Sequence, residues 1–125
     1  FIPSQAEAEA LTGLTDADAM MDFFAARGSG TVVLKWGAMG VYLRTADDRR
    51  QWVPGFRVPV ADTTGAGDSF CAGFCYGLAK EWDLLRSVIF GNAVGAFCVS
   101  QMGASAGIPT EAQVLRFIRE NNGTF

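Results

Sequence analysis

At 125 residues, half of them hydrophobic and 18% charged, the chain has the size and apolar content of one soluble globular domain over residues 1–125, which excludes a disordered or fibrous polymer. Ten basic against thirteen acidic side chains leave a net charge of −3, so there is no cationic field to draw nucleic acid or an anionic membrane surface. Histidine is absent, which excludes Ser-His and Cys-His nucleophile pairs, histidine-ligated metals and imidazole pH switches, and leaves acid–base chemistry to carboxylates, lysine, tyrosine or thiols.

The chain opens on Phe1 rather than methionine, and no basic stretch precedes an apolar core. Such a start predicts a processed, truncated or fragmentary chain without a secretory signal. Ser4 followed by Glu7 has capping-box spacing and Thr12-Gly13 supplies a stop, so a short helix is expected between them. After Asp16, Ala17, Met20, Met21, Phe24 and Ala25 recur at helical spacing until Gly28-Ser29-Gly30 breaks the pattern, which gives a second helix. Residues 31–36, T-V-V-L-K-W, are β-branched and almost continuously apolar, and predict a central parallel strand covered on both faces. The turn from Gly37 to Gly40 leads into a strand at residues 41–44. Arg44, Arg49 and Arg50, interleaved with Asp47 and Asp48, read as a solvated hairpin tip before Gln51-Trp52-Val53, and residues 56–60 as one more short strand.

Residues 68–80 predict a helix rich in small side chains, and residues 83–101 a longer one. Ala72, Gly73 and Gly77 on the first, with Gly91, Gly95 and Ala96 on the second, stand at spacings that let helix backbones approach closely. Residues 87–110 carry no charge, but their apolar run, 88–99, falls short of the ~20 residues that cross a bilayer. Pro109-Thr110-Glu111 opens a last amphipathic helix with Val114, Leu115, Phe117 and Ile118 on its buried side and Asn121-Asn122-Gly123 at its end. Cys71, Cys75 and Cys98 are an odd set without a C-x-x-C pair, expected as buried thiols in a reducing cytoplasm. The succession of elements is an α/β pattern with no internal repeat.

The chemistry concentrates in Asp62-Thr63-Thr64-Gly65-Ala66-Gly67-Asp68, a tight turn delivered from a strand into a helix. The first N–H groups of a helix lack internal acceptors and carry the positive end of its dipole, so the amides of residues 65–68 are placed to cradle a phosphoryl group. Asp68 would then accept a proton from an attacking hydroxyl, or serve only as a cap or first-turn carboxylate that complements the dipole. No Gly-Lys-Ser/Thr follows the glycines, and Phe70 stands where a third dinucleotide-motif glycine would fall, which removes Walker-type and dinucleotide readings.

The stretch from Asp62 to Gly73, D-T-T-G-A-G-D-S-F-C-A-G, closely resembles the C-terminal signature of the ribokinase-like, or PfkB-type, carbohydrate kinases. Leu34-Lys35-Trp36-Gly37-Ala38-Met39-Gly40 is similar to that family's strand and glycine turn before the nucleotide site. Asn92-Ala93-Val94-Gly95-Ala96 with Gly103-Ala104 is similar to its late helix and following loop, and residues 3–13 to its segment carrying Asn-x-x-Glu. The resemblance implies an α/β fold, the C-terminal portion of a three-layer sandwich with a mainly parallel sheet and flanking helices. It further implies transfer of the ATP γ-phosphoryl group to a sugar or sugar-acid hydroxyl by a cytoplasmic enzyme. Asp68 would be the catalytic base and Gly65, Ala66 and Gly67 the anion hole. Lys35, Gly37 and Gly40 would approach the nucleotide, Asn92 and Ala96 would wall the adenine, and Glu7 would lie in the Mg²⁺ region, with Ser4 where the family's motif has asparagine. Asp62 and the Thr64 carbonyl, with the loop near Gly103, would hold a monovalent cation such as K⁺.

Several of these positions keep a plainer reading on their residues alone. Glu7 completes a capping box, Lys35 is a solvated strand end, Asn92 and Ala96 pack a helix, and Asp62 forms a turn. None of the family's N-terminal sugar-binding motifs or its lid precedes Phe1, so the expectation is the nucleotide-side half of a longer kinase, inactive alone, that pairs with the missing half or self-associates through uncovered surface. The competing expectation is a non-catalytic module that retains the fold and binds nucleotide or a partner protein.

Overall fold

A computed structural model of the chain describes residues 1–58, 65–100 and 109–121, and its contacts divide the chain into a unit of residues 1–54 and one of residues 55–125. In the first unit the Ser4 hydroxyl accepts from the Glu7 N–H (3.1 Å) and the Glu7 carboxylate accepts from the Ser4 N–H (2.8 Å), the reciprocal cap that starts α1, Gln5–Thr12. Gly13 closes this helix in the left-handed region, as its place after Thr12 predicts. The second helix, α2 (Ala17–Ala26), starts where the Asp16 carboxylate accepts from the Ala19 N–H at 2.9 Å.

Three strands follow, β1 (Val32–Lys35), β2 (Val41–Arg44) and β3 (Arg50–Val53), in the order β1-β2-β3 with Leu34 opposite Tyr42 and Tyr42 opposite Trp52. Both ladders are antiparallel, whereas the sequence predicts a central parallel strand in a mainly parallel sheet. The reason lies in the connection: residues 36–40 return the chain at once as a one-turn helix, Gly37–Met39, and parallel neighbours need a crossover of a dozen residues or more. A parallel contribution does reach β1 from the start of the chain. The carbonyls of Phe1 and Pro3 accept from the Val33 and Lys35 N–H groups at 2.8 and 2.9 Å, and Ser4 bridges Lys35 in parallel. Ala8 from α1 and Met20, Met21 and Phe24 from α2 bury against Val32, Leu34 and Tyr42 to form the core of this unit.

The hairpin tip departs from the solvated turn that its charge pattern predicts. Only 7% of Arg44 is exposed: it donates to the carbonyls of Gly30 (2.8 Å) and Ser29 (3.2 Å) and pairs with Asp48 at 2.8 Å. Arg50 binds Asp18, Asp22 and Asp48 at 3.1, 2.6 and 2.9 Å and ties β3 to α2, which leaves Arg49 and Asp47 as the exposed pair. The Tyr42 hydroxyl completes this network by donating to Asp18 at 2.5 Å. Burial, reinforced by the Asp18 carboxylate, pushes the Tyr42 phenol up to about 12. A proton held more tightly in the folded state contributes stability that is complete below about pH 10 and lost as the pH rises towards 12. In a Tyr76→Phe variant, where Tyr42 is the remaining tyrosine of the two, phenolate absorbance should therefore appear with a midpoint near pH 12. A midpoint near 10 with the fold intact by circular dichroism would contradict this environment.

Among the described residues the second unit is built on three helices, α3 (Ala66–Ala79), α4 (Leu84–Ser100) and α5 (Glu111–Glu120). The first two pack through their glycines, as predicted. A Cβ added at Gly73 would lie 3.0 Å from the Gly91 Cα, and one at Gly77 would lie 2.9 Å from the Ser87 Cα. Ala72 departs from that expectation, because it points to solvent rather than into the contact. Thr110 and Gln113 form a second capping box at the start of α5, which lays Val114 and Ile118 against Phe90, Ala93 and Val94. Residues 56–58 form no strand; Phe56 instead sets its ring edge-to-face on Phe117, with ring centres 5.6 Å apart. Pro59, Val60 and Gln101 lie outside the described residues. The thiols are also less enclosed than predicted, with Cys71 and Cys98 half-buried and Cys75 exposed. Among the described residues no helix is long and apolar enough to cross a membrane.

Candidate functional site

The start of α3 is set by Gly65, whose φ of 80° and ψ of 3° place it in the left-handed region, where a side chain would be strained. The first backbone bond of the helix runs from the Ser69 N–H to the Gly65 carbonyl at 2.9 Å, so the N–H groups of Ala66, Gly67 and Asp68 have no acceptor within the helix. Among the described residues no side chain caps this end, which stands at the positive pole of a 14-residue helix. Asp68 is exposed in the first turn, one turn in from Gly65. The cap itself is Gly65, so the reading of Asp68 as the helix cap does not hold, and its remaining roles are first-turn carboxylate and proton acceptor. Together these groups present a row of amide donors beside an acceptor-only carboxylate, suited to an anion that carries or meets a hydroxyl.

Helix α4 supports this turn from behind. A Cβ at Gly95 would lie 3.5 Å from the Ala66 carbonyl oxygen, an ordinary contact that places α4 directly against the first residue of α3. Asn92 and Ala96, one turn apart and on either side of Gly95, are both buried. The second unit thus brings Gly65, Ala66, Gly67 and Asp68 together with the α4 stretch from Asn92 to Ala96.

The first unit gathers a different set. Lys35 ends β1, Gly37 (φ 59°) and Gly40 (φ 100°) bound the turn that follows, and the Trp36 N–H reaches across it to the Gly40 carbonyl at 2.8 Å. Glu7 stands beside Lys35 because Ser4 bridges that residue. The Ser4 amide and hydroxyl hold the Glu7 carboxyl below its ordinary value, and the Lys35 charge adds to the effect. Glu7 is accordingly engaged in the capping box, and among the described residues no group of three or more Cys, Asp or Glu side chains is arranged to hold a metal ion. Asp62, Thr64 and the loop near Gly103 lie outside the described residues.

A model of the pfkB family of carbohydrate kinases matches residues 1–111. The chain belongs to that family. A ribokinase from Haemophilus influenzae is 36% identical to it over 121 residues, which make up 93% of this chain and 39% of the relative. The crystal structure of a ribokinase from Thermotoga maritima superposes with a TM-score of 0.84 at 32% identity, covering 94% of this chain and 41% of that one. A double-mutant fructokinase from Vibrio cholerae, crystallised with fructose, ADP and potassium ion, superposes with a TM-score of 0.83 at 31% identity over 93% of this chain and 39% of its own. The fold is therefore that of the ribokinase-like kinases, and the pfkB chain described here spans about two-fifths of the length of these relatives.

Proposed function

We propose that this chain is the C-terminal, nucleotide-side portion of a pfkB carbohydrate kinase domain with a three-layer, mainly parallel architecture. The reaction is transfer of the ATP γ-phosphoryl group to a hydroxyl of a sugar or sugar acid. The observation that carries this reading is the left-handed Gly65, which starts the helix so that the Ala66, Gly67 and Asp68 amides have no acceptor within it, beside the exposed Asp68 carboxylate. The acceptor oxygen bonds to the γ-phosphorus as the bond to the β-phosphate's bridging oxygen breaks, ADP departs, and the hydroxyl proton passes to Asp68. The three amides face the charge that spreads over the transferring oxygens. Loss of one donor of this kind raises a barrier by roughly 2.7–4 kcal/mol.

Gly37 and Gly40 allow the nucleotide's phosphates close to the backbone, Lys35 offers a positive charge, and Asn92 and Ala96 line the adenine. Mg²⁺ typically takes one or two carboxylates with substrate phosphates and water. Glu7, which keeps an oxygen beyond its bond to the Ser4 amide, is assigned to that ion. That ion would neutralise phosphate charge. Asp62 and the Thr64 carbonyl are assigned to a K⁺-type cation in the same reading, the fructokinase with bound ADP and potassium ion being a relative of similar fold. A cytoplasmic location fits both the ATP requirement and thiols kept reduced.

Calorimetric titration with Mg-ATP should give saturable binding at one site, weakened at least tenfold by Gly67→Val, which puts a branched side chain where the phosphate approaches. A folded chain that takes up no nucleotide would overturn the proposal. The departure of Ser4 from the family's asparagine favours a second reading, a nucleotide-binding module without turnover. Sugar-dependent ADP release, measured with the chain joined to a sugar-binding portion, separates the two.

A further inference from the structure

The outward side of α3 carries chemistry that phosphoryl transfer leaves unused. Cys71 and Cys75 are reduced thiols one helical turn apart, the first half-buried and the second exposed. Side chains at i and i+4 of a helix hold their Cβ atoms about 5–6 Å apart, whereas a disulfide needs about 3.5–4.5 Å. Direct S–S closure would have to unwind a helix that Gly73 and Gly77 hold tightly against α4. A single soft atom set between the sulfurs, with bonds of about 2.3 Å to each as in metal thiolates, spans the gap without moving the backbone. Among the described residues no third Cys, Asp or Glu completes a metal-binding group, so a centre held here has two protein ligands.

We infer that Cys71 and Cys75 form a chelating dithiol for soft thiophilic centres that are satisfied by two thiolates, trivalent mono-substituted arsenicals being the class that fits. With phenylarsine oxide two As–S bonds form, the arsenic–oxygen bond breaks, and the two thiol protons leave with that oxygen as water. Arsenic stays trivalent and no oxidant or reductant is consumed. Asp68, Cys71 and Cys75 fall at i, i+3 and i+7, on one side of α3. Helical side chains lean towards the N-terminus, so a group on Cys71 lies over the turn that carries Asp68.

The test uses the whole chain in a Cys98→Ser background. One equivalent of phenylarsine oxide should raise the mass by one reagent less one water, in an adduct that survives excess glutathione and is reversed by 2,3-dimercaptopropanol. Cys71→Ser or Cys75→Ser should each abolish retention in glutathione, while the unmodified dithiol should resist closure by diamide. Retention in either single variant, or ready formation of an intramolecular disulfide, would overturn the inference, and the diamide result needs no variant of the pair. A further readout rests on the nucleotide reading: the adduct should weaken Mg-ATP binding at least tenfold. Unchanged affinity overturns the placement over Asp68. If the chain without reagent binds no Mg-ATP, the proposed function fails while the mass and diamide results still decide on the dithiol.

Discussion

In the chain joined to a sugar-binding portion, replacing Asp68 with asparagine should lower sugar-dependent ADP release by about 10²–10⁴-fold, the usual worth of a positioned general base. Affinity for Mg-ATP should hold or tighten, because the variant removes a negative charge from the surroundings of an anionic ligand while the Ala66 and Gly67 amides are untouched. The variant is nearly isosteric and the site is exposed, so the structural cost is confined to the lost interaction of a first-turn carboxylate with the helix dipole. That interaction is typically worth about 0.3–1 kcal/mol, too little to unfold a domain. The two roles open to Asp68 therefore separate by magnitude: a first-turn carboxylate alone gives a small fall in stability with full turnover, and a base adds to that small fall the loss of turnover. Coupled-enzyme rates beside urea unfolding read both, with calorimetry for the Mg-ATP affinity, and turnover equal to that of the unaltered joined protein removes Asp68 from the mechanism.

What the sequence makes legible follows from how far apart the interacting residues lie. The box of Ser4 and Glu7 and the Gly13 stop are local patterns, and each appears where its spacing puts it. The glycine start of α3 is legible for the same reason, since Gly65 to Asp68 need only one another and the helix they begin. Arg50 was misread because its partners Asp18 and Asp22 lie 32 and 28 residues away, and the adjacent Asp47 and Asp48 offered a sufficient local explanation. Residues 56–60 read as one more short strand, yet their described part, 56–58, forms none, and the Phe56 ring packs on Phe117, 61 residues away, a contact that no local pattern shows. Ala72 shows the complementary error. Composition announces a helix packed closely on both sides, but nothing in small side chains says which face meets α4, and here Gly73 and Gly77 do so while Ala72 and Cys75 point outward. The parallel bridge from Ser4 to Lys35, which brings the Lys35 charge to bear on Glu7, is likewise announced by no local spacing.

The glycines between α3 and α4 give a prediction whose sign changes along a single contact. At Gly77 an added Cβ would sit 2.9 Å from the Ser87 Cα and 2.6 Å from its hydroxyl oxygen. Backbone cannot swing aside as a side chain can, so Gly77→Val, which adds two methyl groups to that Cβ, must push the helices apart. Overpacking of this kind costs typically 1–3 kcal/mol, and the separation also loosens Phe70, Phe74 and Val88, all buried in the same unit. At Gly95 the nearest atom to an added Cβ is the Ala66 carbonyl oxygen at 3.5 Å, an ordinary contact. There Gly95→Ala gains the better helix propensity of alanine, about 1 kcal/mol, with no clash to offset it. Urea unfolding should therefore show Gly77→Val destabilised by about 3 kcal/mol and Gly95→Ala stabilised by up to about 1 kcal/mol, a spread large against the about 5–15 kcal/mol that holds a typical domain. Because Gly95 backs the first turn of α3, Gly95→Ala also reports on the site: nucleotide affinity should be kept in a stiffer chain. Equal destabilisation by both substitutions would mean that α4 lies nearer to the start of α3 than this geometry places it.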